Sequence, residues 1–110
     1  DRAEFGITLG EPGPELRARL GTLPVTALKP YLKRADVVIH TPTAIIIVEL
    51  KPRIVAGAIG QMLMYRTLYE ATYHPTLPVL LMIVYLQPDA DALALAREHD
   101  VLTFQVREEL

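Results

Sequence analysis

From residue 35 onward, hydrophobic and polar positions fall into alternating strand-length and helix-length patterns. Ala35 to His40 (ADVVIH), β-branched in the middle, predicts a strand. Thr41-Pro42-Thr43 predicts a turn, since proline presets φ. Ala44 to Leu50 (AIIIVEL) predicts a second strand, buried on both faces at its start. The two strands should form a hairpin, which Pro52 interrupts. Ile54 to Tyr73 predicts the main helix, with apolar residues at 55, 58, 59, 62, 69 and 73 in helical spacing and His74-Pro75 as its stop. Val79 to Leu86 (VLLMIVYL) is unbroken apolar and should lie centrally in the sheet. Ala92 to Glu98 predicts a second helix capped by Asp89 or Asp91, and Val101 to Val106 a last strand.

The interval from Asp1 to Pro30 is the least regular, punctuated by glycine and proline. A short helix from Pro14 to Leu20 and an edge strand or extended arm from Thr22 to Leu28 are its best candidates. Strand, helix, strand, helix and strand after a hairpin imply an α/β domain with a central mixed sheet flanked by helices, its crossovers right-handed. At 110 residues the chain is expected to be one domain, large enough for a core without disulfides. It begins at Asp1 without Met, which fits a processed chain or a piece of a longer one.

Composition narrows the chemistry. Cysteine and serine are absent, which excludes thiolate metal sites, disulfides and serine or cysteine nucleophiles. Missing Asn and Cys with nine Pro fit a heat-adapted source. His40, His74 and His99 show no metal-ligand spacing. No signal peptide or membrane-spanning run is evident, so an intracellular, cytoplasmic location away from membranes is expected. The net charge of −2 does not point to nucleic acid, although a local basic patch would suffice.

Three charged residues sit where charge is costly. Glu49 and Lys51 end an apolar strand and share one sheet face by alternation. If Thr41 pairs with Ala44, Asp36 falls opposite Glu49, with Cβ atoms roughly 4.5–5.5 Å apart. A one-residue slip would remove the pair. Two carboxylates that close repel unless a divalent cation lies between them. With no thiolate or imidazole, such a hard oxygen site suits Mg²⁺ or Mn²⁺. Lys51 could orient a water or meet developing phosphate charge. Gln61 and Tyr65 share one face of the next helix at i and i+4. Lys29, Lys33, Arg34, Arg53 and Arg66 could hold a phosphate backbone. Taken singly, each has a plainer reading: a solvated strand end for Glu49 and Lys51, a turn residue for Asp36, a packed tyrosine for Tyr65, core filler for Met62, Met64 and Met82, and core or interface for Tyr69, Tyr73 and Tyr85.

Together, Asp36, then Glu49-Leu50-Lys51 thirteen residues on, then Gln61-x-x-x-Tyr65, resemble the PD-(D/E)XK nuclease superfamily. The resemblance spans Ala35 to about Tyr69. Ala35 stands where the family name has proline. It implies a restriction-endonuclease-like fold and Mg²⁺-dependent hydrolysis of DNA, with Mn²⁺ as substitute. Asp36, Glu49 and the Leu50 carbonyl would be metal ligands and Lys51 the catalytic lysine. Gln61, Tyr65, Arg34 and Arg53 would support the site or contact DNA. Many members add a glutamate from an N-terminal helix, for which Glu15 is the first candidate, before Glu11 and Glu4. Homodimers are common in the superfamily, and members serve in restriction, recombination, repair and phage functions. The alternative is a nuclease-like domain without turnover, binding nucleic acid or protein within a larger assembly.

Overall fold

The structure, a computed structural model, describes residues 2–9 and 33–107. Along the chain run β1 (Arg2–Leu9), β2 (Lys33–His40), β3 (Ile45–Arg53), α1 (Ala56–Tyr73), β4 (Val79–Gln87), α2 (Ala90–Glu98) and β5 (Val101–Gln105). The strands form one mixed sheet in the order β1-β2-β3-β4-β5. β1, β2 and β3 pair antiparallel, whereas β3, β4 and β5 pair parallel. This is the expected α/β architecture.

The hairpin between β2 and β3 is closed locally. Thr41 N–H donates to the Ala44 carbonyl at 2.9 Å, and Thr41 Oγ1 accepts from the Ala44 and Thr43 N–H groups. That closure fixes the register from His40↔Ile45 to Val37↔Val48, as the turn predicts.

Alternation then sorts the side chains. Ile45, Ile47, Leu81, Ile83, Tyr85 and Val101 face α1 and α2 and bury with Ala58, Ile59, Met62, Tyr65, Tyr69, Ala92 and Ala96 in one core. Both described helices cover this face. The opposite face is apolar too, yet Leu50, Leu80, Leu86, Leu102 and Phe104 are exposed there. The start of β3 is buried on both faces, as expected, with Ile47 and Val48 both inaccessible. β4 has a strand on each side, but its second face is not covered among the described residues.

Four expectations need correction. Arg2–Leu9 is a strand, not irregular chain. Its alternation is weak, and Gly6 adopts φ +59°, which breaks the pattern a sequence reader would follow. Pro52 does not interrupt β3, which runs to Arg53. Even-numbered N–H groups of β3 point toward β2, as that of Leu50 does, and the β2 ladder ends at Val48. Proline at 52 therefore forfeits no ladder bond. Finally, Val55 and Tyr73 of the helical stripe are exposed: Val55 is the N-cap of α1, and Tyr73 is its last residue. Met64 is exposed as well, while Met62 fills the core.

Asp89 caps α2 by accepting the Ala92 N–H at 3.0 Å, and His74 ends α1 in a left-handed conformation ahead of Pro75. The helix expected at Pro14–Leu20, the strand at Thr22–Leu28, and Glu11, Glu15 and Lys29 lie outside the described residues, as do the side chains of Lys33 and Arg34.

Candidate active site

Asp36 sits where the sheet opens. Extending the β2–β3 register by one step sets it against Glu49, but the ladder stops at Val37↔Val48. The Leu50 N–H instead donates to Asp36 Oδ2 at 2.9 Å. Leu50 thus keeps its backbone polar group satisfied while β2 diverges. N–H and C=O of one strand residue point the same way, so the Leu50 carbonyl is also turned toward the gap beside Asp36.

Glu49 reaches the same place from the helix-covered face. Only 6% of it is exposed. Its carboxyl neighbours that of Asp36, and Oε1 lies 3.9 Å from Lys51 Nζ. Oε2 is buried without a hydrogen-bond partner. Burial pushes the Glu49 pKa up to about 7, helped by the adjacent Asp36 carboxyl and its charge, while Lys51 pulls it down. Glu49 thus holds a proton well into the range where carboxyls are normally ionised.

α1 closes the site from above. Tyr65 is buried, and its Oη accepts from Gln61 Nε2 at 2.7 Å. Its pKa is raised by burial first, then by the negative charges of Glu49 and Asp36, against the Gln61 hydrogen bond. Gln61 and Tyr65 therefore belong to the same neighbourhood as the carboxylates.

The other candidates are elsewhere. Arg53 Nη2 is 3.4 Å from Asp89 Oδ2, tying the end of β3 to the start of α2. Arg34 lies in β2 opposite Thr8. Glu4, on β1 opposite Val38, is not a third carboxylate for the site: its Oε1 is 2.6 Å from His40 Nε2 and 3.5 Å from Arg2 Nη1. Among the described residues no cluster of three acidic or histidine ligands forms. Asp36, Glu49 and the Leu50 carbonyl remain as the oxygen donors that could hold a hard cation, and the unpartnered Glu49 Oε2 fits that use.

No protein-family model matches the chain, and no curated protein matches it in sequence. Among solved structures, a repair endonuclease from Pyrococcus abyssi is similar, with a TM-score of 0.56 and 20% identity over 69% of this chain. The fold is nuclease-like. The chain spans about a third (34%) of that endonuclease. At this identity the likeness concerns the fold and leaves the chemistry to the residues.

Sequence reading missed one cluster. Arg2, Glu4, His40, Tyr69 and Tyr73 line a common crevice. Tyrosines at 65, 69 and 73 do stand at i, i+4 and i+8, but their partners on β1 come from a strand that pattern reading does not find.

Proposed function

We propose that the chain is a metal-dependent nuclease that hydrolyses phosphodiester bonds in DNA at Asp36, Glu49 and Lys51. The observation that carries this reading is the buried, unpartnered Glu49 Oε2 beside a second carboxylate. A buried polar atom without a partner costs about 1–3 kcal/mol, so its retention calls for a use. The fold likeness to a repair endonuclease supports the reaction class.

Asp36, Glu49 and the Leu50 carbonyl would hold Mg²⁺ or Mn²⁺. When bound, the ion supplies Lewis acidity at the phosphate and acidifies a coordinated water. The protein's own groups do the rest. Glu49 must release its proton to act as a ligand, and its neighbour Lys51 favours that release. The Lys51 ammonium donates to the attacking water or to a phosphoryl oxygen, where negative charge develops as the P–O bond breaks. Because Gln61 donates to Tyr65 Oη, the Tyr65 O–H is left as a donor toward a phosphate. Burial of Glu49 and Tyr65 keeps these interactions in a low dielectric, where they are stronger.

Labelled single-stranded, double-stranded and branched DNA, incubated with Mn²⁺ or Mg²⁺, tests this. Wild type should cut at least one, Glu49→Ala and EDTA should each abolish cutting, and Lys51→Ala should lower it about 10²–10³-fold. No cutting of any substrate, with no Mn²⁺ binding by calorimetry, would overturn the reading in favour of a nuclease-shaped binding module.

A further inference from the structure

Near the site lies a crevice that the proposed chemistry does not use. It has a volume of about 370 Å³ and lies between the β1–β2 side of the sheet and the C-terminal half of α1. That volume lies within the ~300–1,000 Å³ usual for small-ligand sites. Gly6 lines it, and the pairs Phe5↔Val37 and Ile7↔Ala35 place Gly6 abreast of Asp36. A Cβ at Gly6 would meet nothing within 4 Å, so the strand leaves open space here. One end of the crevice thus adjoins the carboxylates.

At the other end the lining changes character. Tyr69 and Tyr73 bring their ring centroids within 4.7 Å, tilted by 40°. Tyr69 is buried, but Tyr73 is 48% exposed and the Arg2 side chain 67% exposed. Glu4 lines the same crevice, its Oε1 held by His40 at 2.6 Å and 3.5 Å from Arg2 Nη1. An exposed ring, a cation and a fixed carboxylate are the three groups that an unstacked nucleotide needs. The ring takes the base face, the guanidinium takes a phosphate, and the carboxylate accepts from an exocyclic amine. From Tyr65, beside the carboxylates, to Tyr73 the helix rises about 12 Å. That is about three nucleotides if stacked at ~3.4 Å each, and fewer if extended.

We propose that this crevice is a base-binding subsite, taking an unstacked, amine-bearing nucleobase from the single strand that flanks the bond cut at Asp36 and Glu49. It rests on the nuclease reading for its register, but its binding can be measured without cleavage. Tyr73 is the stacking platform. Glu4 selects adenine or cytosine over thymine. Arg2 neutralises the strand as it leaves the site.

Fluorescence anisotropy of labelled oligo-dC and oligo-dT in EDTA tests it, with cleavage in Mn²⁺ measured in parallel. Tyr73→Ala should weaken binding of oligo-dC about five-fold to a hundred-fold, the range for one lost stacked base. Tyr73→Trp should stay within about two-fold of wild type. Glu4→Leu, which removes the acceptor, should erase the preference for oligo-dC over oligo-dT without weakening oligo-dT binding, a readout that survives if the alanine variant does not fold. Cleavage that persists while all variants bind both oligonucleotides as wild type does would overturn the subsite and leave the nuclease standing. Base-selective binding lost in Tyr73→Ala, with no cleavage by wild type, would support the subsite and overturn the nuclease. No binding of either oligonucleotide by wild type would overturn the subsite.

Discussion

Asp36 Oδ2 accepts the backbone N–H of Leu50 at 2.9 Å, in the position where the next rung of the β2–β3 ladder would otherwise fall. One carboxylate thereby ends a strand pairing and opens the gap in which Glu49 and the Leu50 carbonyl meet it. Geometry and chemistry share a residue, so its removal should be felt in both.

Asp36→Ala removes that acceptor. Because this one hydrogen bond is exposed, the cost should be small, about 0.5–1.5 kcal/mol. Asp36→Asn retains a carbonyl oxygen for the Leu50 N–H and should lose less. Both should lose Mn²⁺ binding. Urea melts of the two variants, beside calorimetric titrations, check the ordering; equal stability of Ala and Asn would contradict the structural role of Oδ2.

Glu49 makes metal-free stability depend on pH. Its folded pKa is raised from 4.5 to about 7, chiefly by burial. Between those values the folded state holds a proton that the unfolded chain has released. Its favourable contribution is therefore complete below about pH 4.5 and is lost as pH rises through about 7. Glu49→Gln should flatten this slope and be more stable than wild type at pH 8 without metal. The metal dependence has the opposite sign: Mn²⁺ affinity should rise with pH up to about 7, since the ion competes with the Glu49 proton. Denaturant melts and titrations at pH 5, 6, 7 and 8 read both.

Lys51 lies 3.9 Å from Glu49 without being a ligand. Lys51→Ala should lower cleavage by about 10²–10³-fold, the usual loss for one group that stabilises developing charge. Mn²⁺ binding should persist, although shifted to higher pH because the cation that favours Glu49 ionisation is gone. Loss of Mn²⁺ binding at every pH would make Lys51 structural.

Asp89 is an N-cap first and the partner of Arg53 second. Asp89→Ala should destabilise the protein through loss of the α2 cap. Arg53→Ala should cost less, because an exposed ion pair contributes about 0–1 kcal/mol. If Arg53 also contacts DNA, its removal should weaken binding and reduce the salt dependence by about one phosphate. An unchanged salt slope would leave Arg53 as a tether between β3 and α2.

Local chemistry explains what could be read from the sequence alone. The strands from Ala35 onward, α1, α2 and the Asp89 cap follow from hydrophobic period and turn residues. The register that sets Asp36 against Glu49 is readable because Thr41 closes the loop with Ala44, four residues within one turn. The shared face of Glu49 and Lys51 follows from strand alternation. Tertiary structure decided the rest. β1 escapes pattern reading because Gly6 takes a positive φ and its partner strand begins 24 residues after it ends. That β2 leaves the ladder at Asp36, that Glu49 Oε2 is buried without a partner, and that Arg2, Glu4 and Tyr73 line one crevice are properties of packed neighbours. Spacing along a chain fixes which face a side chain takes; only the elements packed against that face determine its solvent, its charge and its partners.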